Sequence, residues 1–118
     1  MSGIVTDSLY TAGETSKIAV ADSVISVATP AFLEAIRPTT GTWKGYSATS
    51  LEVMAVTSGI YRSFTTDPVT DGSVGCPMAV GDTILVSNFA SIKNLKFIRQ
   101  GTSSGAIMIT PFFNNVGK

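Results

Sequence analysis

The sequence predicts an all-β protein, and residues 81–113 carry most of the evidence. Three apolar runs rich in Ile, Val and Phe lie there, at 83–87, 92–98 and 106–113, separated by short breaks that contain Gly or Ser. Runs of this length and composition are typical of β-strands. In the middle run, apolar side chains alternate with polar ones, which gives a strand one dry and one wet face.

With 118 residues, the chain suits one domain that buries a substantial core. We predict a single-domain β-sandwich or jelly roll over residues 17–118. It should have about seven or eight strands and at most one short helix.

Residues 1–16 are rich in Ser, Thr and Gly, and we predict that they form an extended N-terminal arm. A frayed terminus is the alternative. The apolar side chains of this segment are Ile4, Val5, Leu9 and Tyr10. We predict that these four side chains anchor the arm on a partner.

The segment after the arm begins with two short β-rich runs at 17–28 and continues into the only predicted helix, at 31–37. Thr29 stands where a helix N-cap is expected, and Pro30 occupies the permitted first position. Glu34 is expected to complete a capping box.

A loop at 38–50 carries two aromatic residues three positions apart, Trp43 and Tyr46. Three roles are open for this pair. The rings can plug one end of the sandwich, anchor a protein contact, or stack on a sugar.

Residues 51–66 predict a hairpin, because Ser58 and Gly59 separate two β-rich runs. Residues 101–105 predict a second hairpin loop between the last two apolar runs.

Both faces of the strand that starts at 51 are largely apolar, which favours a central strand or one covered by a neighbouring subunit. Tyr61, in the first hairpin, is a third aromatic candidate for an interface or a ligand.

Eight acidic and eight basic residues give a net charge of zero, and charged residues make up only 14% of the chain. Ordinary soluble domains have about 25%. So few charges leave an isolated monomer short of solubility, so we predict a homo-oligomer, most simply a trimer. A monomer coated with Ser and Thr is the alternative.

The same composition argues against several partners. A surface that reads phosphates is normally decidedly basic, so we predict no nucleic acid partner. No apolar run reaches the roughly 18–20 residues that cross a bilayer, so we predict no membrane partner. No signal peptide is visible, and the lone Cys76 allows no intrachain disulfide, which suits a reducing cytoplasm.

The sequence also argues against catalysis. The chain has no histidine, so the usual Ser–His and Cys–His pairs cannot form and zinc loses its commonest nitrogen ligand. Asp67 and Asp71 are too few for a calcium loop, and Cys76 has no flanking base. We therefore predict no enzyme activity, no catalytic or metal-binding residues and no cofactor.

The alternation in the strands predicts a core. Its members are expected to include Val53, Ala55, Ile84, Val86, Leu95, Phe97, Ile107 and Ile109.

Three segments carry a resemblance to a known class of proteins: WKGYSATSLEVMAVTSGIYRSFTTDP, MAVGDTILVSN and SIKNLKFIRQGTSSGAIMITPFF. Over its last two-thirds the chain resembles small β-rich virion proteins of tailed bacteriophages, of the head-decoration or cement class. The histidine-free, charge-poor composition and the N-terminal arm fit the same class.

This resemblance implies a jelly-roll or β-sandwich subunit, commonly a trimer, on the outer surface of a phage head. Its partner would be the major capsid protein, whose contacts it would stabilise in virions assembled in the host cytoplasm. No site residues can be transferred from the class one by one. The alternative is a carbohydrate- or receptor-binding module of a phage particle, with Trp43, Tyr46 and Tyr61 as platforms.

Overall fold

The computed structural model describes residues 10–114, which form eight strands and two short helices. The strands are β1 (Tyr10–Ala12), β2 (Ser16–Val20), β3 (Ser50–Val56), β4 (Ile60–Ser63), β5 (Cys76–Met78), β6 (Thr83–Ser87), β7 (Lys96–Arg99) and β8 (Gly105–Asn114). The helices are α1 (Pro30–Ile36) and α2 (Phe89–Asn94). Neither helix is long and apolar enough to cross a bilayer.

The strands form two antiparallel sheets, which confirms the all-β prediction. The larger sheet has the order β1-β8-β3-β6, and β2 pairs with β8 on the same side as β1. The smaller sheet has the order β5-β4-β7. Phe97 of β7 also pairs with Ile25, which lies on the side of β7 away from β4.

Strands β1 and β2 are one interrupted strand, because both pair with β8. Ala12 lies opposite Phe112 and Ser16 opposite Ile109, so residues 13–15 bulge against two residues of β8. For the strand order we therefore count β1 and β2 together as the first strand, and the segment around Ile25 that pairs with β7 as the second. The sheets then have the orders first-eighth-third-sixth and second-seventh-fourth-fifth. This is the arrangement of an eight-stranded jelly roll, two Greek keys folded over each other.

The hydrophobic core lies between the two sheets and includes side chains from both. All of the predicted core residues except Ile84 are buried, and Ile84 is half-buried and packs against the core. Helix α1 adds Phe32 and Ile36, which are fully buried. The alternation of apolar residues therefore predicted the inward face of the strands.

Both predicted hairpins are wrong. Strand β3 lies between β8 and β6 in the larger sheet, whereas β4 lies between β5 and β7 in the smaller one. Strands β7 and β8 are likewise in different sheets. At each turn the chain crosses from one layer to the other, so that strands adjacent in sequence contribute to the core from opposite sides.

Helix α1 forms as predicted, but its capping box does not. The Thr29 side chain makes no capping hydrogen bond; its Oγ1 accepts one from the backbone N–H of Ser26 instead. The Glu34 carboxylate accepts hydrogen bonds from the backbone N–H and the hydroxyl of Thr39, at 2.9 and 2.8 Å. Glu34 thus ties the helix to the loop that follows it.

Helix α2 was not predicted, since at most one short helix was expected. The run at 92–98 was expected to be one strand, but its first three residues complete a helix that begins at Phe89. The Asn88 side chain accepts a hydrogen bond from the backbone N–H of Ser91 at 2.9 Å. This N-cap, together with a positive φ of 65° at Asn88, ends β6 and starts the helical turn.

The predicted arm at 1–16 is described only in part. Tyr10–Ala12 is strand β1, and the backbone N–H of Gly13 donates to the Pro111 carbonyl at 2.7 Å. Ile4, Val5 and Leu9 lie outside the described residues, so the arm stays a prediction for residues 1–9.

Replacing Phe97 tests the assignment of the core. Its ring is fully buried and lies 6.4 Å from the ring of Phe32, centroid to centroid. Phe97→Ala should lower the free energy of unfolding by about 3–5 kcal/mol in chemical denaturation. Phe64→Ala is the control, because Phe64 is 40% exposed and should cost much less. A loss below about 1 kcal/mol for Phe97→Ala would place this ring outside the core.

Candidate functional site

Trp43 and Tyr46 form an aromatic cluster with Phe113 of β8. The Trp43 ring is stacked on Phe113, with centroids 4.9 Å apart and an interplanar angle of 16°. Tyr46 meets Trp43 edge-on at 5.1 Å. Trp43 and Tyr46 are half-buried against the core. This packing is that of a plug at one end of the sandwich, and a role in ligand binding stays a prediction.

Tyr61 is not part of that cluster, because it belongs to β4 of the smaller sheet. There it packs under the loop that carries Gly72 and Gly75. A Cβ on Gly72, whose φ is +83°, would lie 2.6 Å from the Tyr61 hydroxyl oxygen. The structure therefore brings two of the three candidate aromatics together and holds the third separately under a loop.

A groove of about 530 Å³ lies beside Trp43, lined by α1, the 38–43 loop and the edge of the larger sheet. Its lining residues include Trp43 together with the charged residues Glu14, Lys17 and Glu34. Hydrogen bonds from the backbone and the hydroxyl of Thr39 hold the pKa of Glu34 below its usual value. Within residues 10–114, neither the Glu14 nor the Lys17 side chain has a hydrogen-bonding or ionic partner.

The acids of the 67–82 region have separate structural roles. Asp71 accepts a hydrogen bond from the Ser73 backbone N–H at 2.8 Å, which lowers the pKa of this carboxyl. Asp67 forms an ion pair with Lys96 at 2.8 Å. In the described part of the chain, no three His, Cys, Asp or Glu side chains are grouped to hold a metal ion.

The surface most suited to binding is the outer face of the larger sheet, defined as the strand side chains that point away from the core. Its two central strands contribute Ser50, Glu52, Met54 and Val56 from β3, and Ala106, Met108, Thr110 and Phe112 from β8. Its flanking strands contribute Tyr10 and Ala12 from β1, Lys17 and Ala19 from β2, and Thr83, Leu85 and Ser87 from β6.

The outer face is apolar and nearly uncharged. Leu85 is 65% exposed and Met54 is 37% exposed, and Met108 lies beside Met54 in the neighbouring strand. The only charged side chains among the residues that define this face are Lys17 and Glu52. A wet sheet face normally carries polar side chains. A face of this composition is typical of a protein contact.

Lys17 and Glu52 lie on opposite sides of β8. Lys17 is opposite Met108 in one neighbouring strand, and Glu52 is opposite Thr110 in the other. Two strand spacings of about 4.8 Å each separate them, so they do not pair within one copy. The acid and the base of this face are therefore both free to meet charges on another molecule.

Sequence reasoning found this surface only in part. The apolar character of both faces of β3 was noticed and predicted that a neighbour covers them. The contributions of Met108 and Leu85 were missed, because they belong to the face only through the register of β8 and β6 with β3.

Comparison of the chain with family models, with curated proteins and with solved structures gives no match in any of the three.

Trp43 offers a test of the plug. Trp43→Ala should lower the free energy of unfolding by about 2–3 kcal/mol, less than a fully buried aromatic because the ring is half-buried. Trp43→Phe is the control, since a phenyl ring preserves the stacking on Phe113. Urea denaturation followed by circular dichroism measures both variants. An unchanged stability in Trp43→Ala would mean that this ring is free for a ligand or partner.

Glu34 gives the fold a predictable pH dependence. Because the pKa of Glu34 is lower in the folded protein than the ordinary value of 4.5, its hydrogen bonds stabilise the fold above that value. The stabilisation is lost as the pH falls through the lowered pKa. Glu34→Gln should therefore have a lower Tm than the wild type at pH 7, and the difference should close below pH 4.5.

The control for this experiment is Asp22→Asn, because Asp22 is exposed, lies outside the outer face and has no side-chain hydrogen bond among the described residues. A Tm difference between Glu34→Gln and wild type that does not shrink as the pH falls below 4.5 would contradict the role of Glu34.

Proposed function

We propose that the protein is a structural virion protein, a decoration or cement subunit that binds the outer surface of a phage head. It stabilises contacts between neighbouring major capsid proteins and works as a homo-oligomer, most simply a trimer. The observation that carries this proposal is the outer face of the larger sheet, which is apolar, nearly uncharged and uncovered by any described part of the chain, as a surface between the subunits of an assembly would be.

The strand order adds support at the level of fold analogy. Jelly rolls are frequent in viral capsid proteins and in lectins, so the fold suits a protein whose task is binding. Because one fold serves many functions, the specific support for this role comes from the surface and from the resemblance of three segments to phage decoration proteins.

Such a protein acts by adding contact area. Burial of apolar surface contributes about 25 cal/mol for each Å². A trimer that attaches at several points gains effective concentration, so each individual contact can be weak. No bond is made or broken in this activity.

The N-terminal arm is the proposed contact with the major capsid protein. Tyr10, which is 52% exposed, is where the described chain begins, at the edge of the larger sheet. Ordering each residue of an arm costs about 1–2 kcal/mol of conformational entropy. A segment with few apolar side chains recovers this cost only from contacts with a partner. Ile4, Val5, Leu9 and Tyr10 are the proposed anchors.

Carbohydrate or receptor binding remains the alternative, and it has less support. One face of Trp43 is already stacked on Phe113, and Tyr61 is packed under a loop. A saccharide would have to use the groove beside Trp43. Binding on a glycan array that is abolished by Trp43→Ala, with no binding to phage heads, would favour the alternative.

A truncation tests the proposed attachment. Deletion of residues 2–9 leaves β1 in place and should preserve the folded oligomer, while it weakens co-sedimentation with phage heads depleted of the protein. Deletion of residues 115–118 is the matched control at the other end and should leave binding unchanged. Equal binding of the wild type and the 2–9 deletion would exclude the arm as the attachment.

A further inference from the structure

The outer face of the larger sheet has a high apolar content, and its two charges indicate what covers it. One half of the face, formed by β3 and β6, carries Glu52 together with Met54 and Leu85. The other half, formed by β2 and β8, carries Lys17 and Met108. Each half is thus apolar with a single charge, and the two charges are opposite in sign.

We infer that the occupant of this face is a second copy of the same chain. The half that carries Glu52 contacts the half that carries Lys17 on the neighbouring copy. Each copy brings one acid and one base, so every contact pairs opposite charges in an otherwise apolar surface. An unpaired charge in such a contact would lose its hydration without compensation.

In a trimer this contact is heterologous, because each copy meets one neighbour through the half that carries Glu52 and the other neighbour through the half that carries Lys17. Heterologous contacts close into rings when the rotation between copies allows it. With three copies around an axis, all three outer faces would line that axis and no half would be left over. The inference rests on the proposed homo-oligomer, but it does not depend on binding to phage heads.

The position of the charges also explains why the chain does not satisfy them internally. Lys17 and Glu52 are separated by β8 and lie two residues apart along the strands. Among the described residues, the ion pair that forms joins Lys96 of β7, in the smaller sheet, to Asp67. Charges placed to repel or attract a copy of the same chain set register and partner choice more than they set affinity.

Charge reversal gives a direct test on the purified full chain in the absence of phage heads. Glu52→Lys places lysines in both halves, and Lys17→Glu places acids in both halves. Either single change should weaken self-association by about tenfold or more in sedimentation equilibrium at low salt. The double variant, with both charges exchanged, restores opposite charges and should assemble like the wild type.

A second pair of variants separates the apolar contact from a general loss of solubility. Leu85→Gln should also weaken self-association, because Leu85 is 65% exposed on this face and glutamine adds no charge opposite Glu52. Val69→Gln is the matched control, since Val69 is 40% exposed in the loop region beside the smaller sheet and should leave association unchanged. Circular dichroism and thermal unfolding confirm that each variant is folded.

Three results would overturn the inference. These are a monomeric wild type at high concentration, single reversals that assemble as well as the wild type, and a double variant no better than the singles. Binding of the same variants to depleted phage heads is measured separately. If the wild type binds heads but stays monomeric in solution and on the heads, the self-contact is wrong and the decoration role stands. If the double variant assembles like the wild type but the protein does not bind heads, the self-contact stands and the decoration role is wrong.

Discussion

The pairing of β8 on both of its sides is the interaction on which the rest of the structure depends. Its ten residues pair with β1 and β2 along one edge and with β3 along the other. The inward side chains Ile107, Ile109 and Phe113 fill the core, and Phe113 supports the aromatic plug. The outward side chains form the centre of the outer face. One strand therefore fixes the core, the closed end of the sandwich and the proposed contact surface.

Much of the fold could be predicted from the sequence because alternation reports directly on burial. The strands around Val53, Val86 and Ile107 were predicted in that way, and the residues are buried. Strand partners could not be predicted from the same signals. A turn such as Ser58-Gly59 shows that the chain changes direction, but it does not show whether the next strand returns to the same sheet or crosses to the other.

The candidate site was less accessible to sequence reasoning for a related physical reason. A surface made of several strands exists only once their register is known. Met108 and Leu85 are far apart in the sequence, and they share one face of the sheet because β8 and β6 both pair with β3. The aromatics were visible as a pair at Trp43 and Tyr46, but their packing on Phe113 depends on the end of β8. The low charge was the one signal that indicated a covered surface from composition alone.

Electron cryomicroscopy of phage heads that carry the protein tests the central claim most directly, because it shows the oligomer and its attachment together. We predict groups of three copies whose larger sheets face one another. Glu52 of each copy should lie near Lys17 of the next, and residues 1–9 should lie along the major capsid protein. Single copies whose larger sheets face solvent, or heads without the protein on their surface, would contradict it.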